Sequence, residues 1–65
     1  MNDNIYLEVE QHPSGWWFNV VHPHGTPEGE AIVLIMSGPY ANAADVISYG
    51  DAALELELGL QKAAA

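Results

Sequence analysis

Residues 5–22, IYLEVEQHPSGWWFNVVH, predict a β-hairpin, and this hairpin decides the fold of the chain. Apolar and polar residues alternate in the first part of the segment, and its last part is aromatic and β-branched, as expected of strands. The residues between them, His12-Pro13-Ser14-Gly15, suit a tight turn, because proline presets one backbone angle and glycine accepts a positive φ. The sequence therefore predicts strands over about 5–11 and 16–22.

The register of this hairpin decides which side chains share a face of the sheet. If His12 closes the loop opposite Trp16, paired residue numbers sum to 28 and Glu10 faces Phe18. In that register one face carries Ile5, Leu7, Val9, Trp17 and Val21, and the other carries Tyr6, Glu8, Glu10, Trp16, Phe18 and Val20.

A third strand is predicted over about 30–37, after a loop with two prolines and two glycines. Residues 31–36 are apolar on both faces of such a strand, so both sides of the sheet should be covered. Gly38-Pro39 is expected to end the strand.

A helix is predicted over about 42–62 from its Ala, Leu and Glu content, with Asn42 as N-cap. On a helical wheel a broad arc is apolar. Its members are Val46, Ile47, Tyr49, Ala53, Leu54, Leu56, Leu58 and Leu60. Because residues 54–58 alternate strictly between Leu and Glu, a short helix followed by a fourth strand is the alternative.

The predicted architecture is α+β: a three-stranded antiparallel β-meander with one C-terminal α-helix packed on one face, in a single domain over 1–65. One helix covers only one face of the sheet. The other face, with Trp16, Phe18, Val20 and Tyr6 or their odd-numbered counterparts, must meet another chain or remain exposed.

Charge is the strongest functional signal in the composition. Nine acidic residues stand against one lysine and no arginine, which gives a formal net charge of -8. Such a surface repels nucleic acid and anionic lipid headgroups and attracts a positively charged partner. The lack of cysteine, and a longest apolar run (31–36) too short to span a bilayer, predict a cytoplasmic protein that is not membrane-embedded.

No catalytic residue is predicted. A nucleophilic triad needs a serine or cysteine in contact with a histidine and a carboxylate. Ser14 lies in a turn, Ser37 at a strand end and Ser48 on a helix, and none sits in a recognisable elbow.

No metal ligand or cofactor is predicted either. His12 and His22 belong to opposite ends of one strand, and His22-Pro23-His24 alone offers only two ligands. A metal-binding homodimer that carries these histidines is the enzyme-class alternative.

The triplet Trp16-Trp17-Phe18 points to binding, because consecutive strand residues face opposite sides and only part of this bulk can enter one core. Aromatic anchors beside carboxylates predict docking on a larger protein with a basic surface, such as a nucleic-acid-binding complex, without direct contact to nucleic acid. A homodimer, for instance of two stacked sheets, is also expected. The predicted partner-binding residues are Tyr6, Glu8, Glu10, Trp16, Phe18, Glu28, Glu30 and Tyr40.

In size, acidity and lack of cysteine the chain resembles small inhibitors from phages and mobile elements, including anti-CRISPR proteins. The segments Pro27-Glu28-Gly29, Gly38-Pro39 and 43–49 are similar to the C-terminal part of MbtH-like proteins, which are small acidic activators of adenylation enzymes. The order of elements also resembles acidic antitoxins. Each resemblance implies an acidic protein that acts by docking, as an inhibitor or as a partner subunit.

Overall fold

The computed structural model describes residues 5–64, and residues 1–4 and 65 of the predicted domain lie outside the described part. Strands β1 (Tyr6–His12), β2 (Gly15–His22) and β3 (Ile32–Tyr40) are followed by helix α1 (Ala43–Ala64). The strands form one antiparallel sheet in the order β1-β2-β3. The predicted α+β meander with a C-terminal helix is confirmed.

The hairpin register differs from the prediction by one residue. His12 pairs with Gly15 rather than Trp16, and Glu10 pairs with Trp17 rather than Phe18. Gly15, with φ at +139°, takes a paired strand position, which leaves a two-residue loop in place of the expected three-residue loop.

This one-residue shift exchanges the two faces of β2 relative to β1. Leu7 lies opposite Val20, and Val9 lies opposite Phe18. The predicted grouping of Trp16, Phe18 and Val20 with the even-numbered residues of β1 is therefore wrong.

Strand β3 begins two residues later than predicted and continues past Gly38-Pro39 to Tyr40, which pairs with Trp16. Pro39 is tolerated because β3 is an edge strand and the pairing is irregular at this point, so no regular ladder bond is lost. A second irregularity lies between the pairs Val20–Ile35 and Val21–Val33.

Helix α1 runs without interruption through residues 54–58, so the alternative of a fourth strand is wrong. Asn42 caps it as predicted: the Asn42 side-chain Oδ1 accepts a 2.9 Å hydrogen bond from the Asp45 amide. No helix in residues 5–64 combines the length and the apolar character that a membrane crossing requires.

The core lies between α1 and the face of the sheet that α1 covers. Its buried cluster consists of Ile5, Phe18, Val20 and Val46, with Leu7, Trp16, Leu34, Ile35, Tyr40, Ala53 and Leu54 packed against it. Gly50 permits the close approach of α1, since a Cβ at this position would lie 2.9 Å from Leu7 Cδ1. The apolar arc of the helix is only partly used, because Ile47, Tyr49, Leu56, Leu58 and Leu60 remain exposed.

Candidate functional site

The face of the sheet opposite α1 is uncovered in the described chain, and we call it the open face. The register brings alternate residues of β1 and β2 to this face, together with two residues of β3 on either side of an irregularity in the pairing. They are Tyr6, Glu8, Glu10 and His12 of β1, Trp17, Asn19 and Val21 of β2, and Val33 and Met36 of β3.

Trp17 is the largest side chain of the open face and is held from three directions. Its Nε1 donates a 3.1 Å hydrogen bond to Ser14 Oγ. The His12 ring meets it edge-on, with centroids 6.2 Å apart. The indole lies against Gly38, where a Cβ would be only 2.5 Å from the ring atom Cδ2. The half-buried Trp17 ring is therefore fixed in position before any partner binds.

Two aliphatic side chains extend the apolar surface beside this indole. Met36 is 67% exposed and Val33 is 55% exposed, although both belong to a strand. A shallow depression of about 430 Å³ lies here. It is lined by Glu10, His12, Ser14, Trp17, Asn19, Val33 and Met36.

Two carboxylates border this apolar patch on the β1 side. Glu8 and Glu10 lie two residues apart on one strand face, about 7 Å from each other. Asn19 donates a 3.3 Å hydrogen bond from Nδ2 to Glu10 Oε2, and His12 Nε2 lies 2.7 Å from Glu10 Oε1. These two contacts orient Glu10 on the surface, whereas the Tyr6 hydroxyl donates a longer, 3.5 Å bond to Glu8 Oε2.

The structure separates the predicted partner-binding residues into three groups, two on the faces of the sheet and one in a loop. Tyr6, Glu8 and Glu10 come together on the open face, as described above. Trp16, Phe18 and Tyr40 lie on the opposite face, against α1. There, Tyr40 is stacked between Phe18, at a centroid distance of 5.9 Å, and Tyr49, at 5.2 Å.

Glu28 and Glu30 occupy the loop between β2 and β3, at the end of the sheet where β1 begins. The loop is tightly bonded: Gly29 donates its amide to the Thr26 carbonyl at 2.9 Å, and Glu30 donates its amide to Thr26 Oγ1 at 2.9 Å. Both glutamates are exposed, so they extend the negative surface beyond the strands.

The histidines and serines have local contacts. His24 donates its amide to His22 Nδ1 at 3.1 Å, and His24 Nδ1 lies 3.2 Å from the Gly29 carbonyl oxygen. Ser37 Oγ lies 2.8 Å from the Tyr40 hydroxyl. Within residues 5–64, no three metal-binding side chains of His, Cys, Asp or Glu are grouped.

The predicted partner-binding residues did not include Trp17, Val33 and Met36, which form the apolar part of this site. The available signal was the apolar run over residues 31–36, which required a cover on both sides of the sheet. With the correct register that signal selects Trp17 as the neighbouring aromatic residue.

No protein-family model matches the chain, and no match was found with a curated protein or a solved structure.

Proposed function

We propose that this chain is a small, acidic, non-enzymatic binding protein of the cytoplasm. It docks on the basic, nucleic-acid-binding surface of a larger protein and acts as an inhibitor, in the manner of anti-CRISPR proteins or antitoxins. The observation that carries the proposal is the open face itself, on which Trp17 and the exposed Val33 and Met36 lie next to Glu8 and Glu10.

The apolar part of the open face supports docking on a protein. Aromatic and methionine side chains are enriched in the centres of protein interfaces, where they account for much of the binding energy. Trp17 is already fixed by Ser14, His12 and Gly38, so its immobilisation costs little on binding.

The carboxylates support a basic partner. Glu8 and Glu10 border the patch, and Glu28 and Glu30 lie exposed at one end of the sheet. The net charge of -8 attracts a positive surface over several ångströms and repels nucleic acid. A protein that holds these carboxylates over a phosphate-binding channel would exclude the nucleic acid from it.

Association kinetics with the partner test this proposal. Affinity capture with the full chain and mass spectrometry would identify the partner, and binding is then measured for Glu8→Gln/Glu10→Gln. We expect association about tenfold slower at low salt with little change in dissociation, because charges at the edge of an interface act mainly on the on-rate. The difference should disappear in about 0.5 M NaCl.

The matched control is Asp51→Asn/Glu55→Gln, which removes the same charge from exposed positions on α1. If both double variants slow association equally, the open face has no special role. A partner without a basic surface would also contradict the proposal.

A further inference from the structure

The outer edge of β1 can accept a further strand. In the sheet order β1-β2-β3, β1 pairs with β2 on one side, and within residues 5–64 no strand pairs with its other side. Alternate residues of such an edge strand direct their backbone N–H and C=O groups away from the sheet, where they can bond to an added strand. We call this outer side of Tyr6–His12 the β1 edge.

The β1 edge is more regular than the opposite edge of the sheet, which belongs to β3. Strand β3 contains Pro39, which cannot donate a ladder bond, and its pairing with β2 has two irregularities. Proline and irregular pairing protect an edge from further strands. Strand β1 contains no proline, and all 7 of its residues pair with β2 in one unbroken register. Of the two edges, the β1 edge is therefore the one suited to a further strand.

The core is incomplete at the β1 edge. Val9 lies opposite the buried Phe18, on the face of the sheet that α1 covers, yet it is 37% exposed. An added strand would lie about 4.8 Å beyond β1, with its alternate side chains on this same face. An apolar side chain there would cover Val9 and enlarge the core.

The other face of β1 selects the charge of the added strand. Glu8 and Glu10 are exposed on the open face, and a residue directly opposite either of them would have its Cβ about 5 Å away. Opposite charges at that distance stabilise a pair of strands and like charges destabilise it. Asn19 and His12 each contact one oxygen of Glu10, and a carboxylate with about four acceptor sites can still accept a bond from lysine or arginine.

The same two carboxylates disfavour a second copy of β1 at this edge. In the symmetric antiparallel pairing with the greatest overlap, which is centred on Val9, Glu8 of each copy lies opposite Glu10 of the other. Two pairs of like charges would then meet across the new ladder. Charge complementarity therefore favours a basic strand over a second copy of this chain.

We propose that the basic partner docks on the β1 edge with an extended segment in which basic and apolar residues alternate. The segment bonds through its backbone to the outward groups of β1. Its lysine or arginine side chains face Glu8 and Glu10, and an apolar side chain covers Val9. This inference rests on the proposed function, from which it takes the basic partner, and it adds the form of the contact.

Amide hydrogen exchange with a model peptide tests the added strand. The probe is a capped peptide of alternating lysine and valine whose length matches the 7 residues of β1. In the free chain, alternate amides of Tyr6–His12 should exchange rapidly because they point away from the sheet. With peptide added until the amide chemical shifts stop changing, these amides should exchange at least about tenfold more slowly. The control peptide has the same composition with its lysines consecutive, and it should protect none of them.

Variants without the carboxylates test the charge of the added strand. Glu8→Gln/Glu10→Gln should bind the alternating peptide about fivefold more weakly, because two cross-strand pairs of opposite charge are lost. The matched control, Asp51→Asn/Glu55→Gln, removes the same charge from α1 and should change the affinity by less than about twofold. Equal losses in the two double variants would contradict the pairing of Glu8 and Glu10 with the added strand.

Three further results would overturn the strand addition. One is binding of the alternating peptide without slower exchange of the β1 amides, which would mean docking by charge alone. Another is no change in amide shifts with about 5 mM peptide. The third is slow exchange along the β1 edge in the chain alone together with a mass of twice 7.0 kDa, which would assign this edge to a second copy. The proposed function fails separately, if the captured partner has no basic surface, whatever the peptide does.

Discussion

Gly38 lies directly against the indole of Trp17, so close that a Cβ would stand 2.5 Å from Cδ2 and 2.8 Å from Cε3 and Cγ. We expect Gly38→Ala to displace the Trp17 ring from this position and to break its hydrogen bond to Ser14. The cost of such overpacking is about 1–3 kcal/mol of unfolding free energy. Urea denaturation measures the loss, and tryptophan fluorescence should report a more exposed indole.

Gly59→Ala is the matched control for this substitution. Beyond the two adjacent residues and the backbone of the helix itself, no atom lies within 4 Å of a Cβ at Gly59, which is exposed on α1. Alanine is a better helix former than glycine, so this variant should gain about 0.5–1 kcal/mol. A Gly38→Ala variant as stable as wild type would show that the Trp17 ring is not held by close packing.

The contact between Gly38 and Trp17 illustrates what the sequence could and could not predict. Gly38-Pro39 was expected to end β3, yet the strand continues to Tyr40 and brings Gly38 under the ring. A Gly-Pro pair indicates the end of a strand from the local sequence alone. Whether a strand tolerates the proline depends on its place at the edge of the sheet, which is a property of the whole fold.

The hairpin shows the same division between local and tertiary information. The turn residues and the alternation of residues predicted the two strands and the position of the turn between them correctly. They could not decide whether Gly15 belongs to the loop or to the strand, and this single choice exchanged the positions of Trp16 and Trp17. Glu8 and Glu10 were placed together correctly because both belong to one strand, where the two-residue period needs no partner.

The stability of the fold should depend strongly on Val46, a residue of the core. Its side chain is completely buried between α1 and the sheet, in contact with a cluster of few residues. Val46→Ala removes two methyl groups from this environment and should cost about 2 kcal/mol. In a domain of this size the midpoint of thermal unfolding should fall by about 8–16 °C.

The same substitution at Val33 is the control, because this side chain is exposed on the open face. Val33→Ala should change the unfolding free energy by less than about 0.5 kcal/mol. If the two variants lose equal stability, α1 does not pack on the sheet as described.

The start of α1 depends on one side chain. Asn42 accepts the Asp45 amide proton, which would otherwise lack a partner in the first turn of the helix. Asn42→Ala should cost about 1 kcal/mol, and Asn42→Asp should keep most of the stability because an aspartate oxygen accepts the same bond. Helical circular dichroism during thermal unfolding measures both. An alanine variant as stable as the aspartate variant would contradict the capping role.

The excess of negative charge predicts that salt stabilises the fold. Nine acidic residues face one lysine, so repulsion between carboxylates exceeds attraction, and screening it should favour the compact state. Between about 10 mM and 500 mM NaCl we expect the thermal midpoint to rise by roughly 5 °C at neutral pH. Asp51→Asn/Glu55→Gln carries two fewer negative charges on α1, and its midpoint should rise less. A midpoint that falls with salt would mean that attractive electrostatic interactions contribute more than the repulsion.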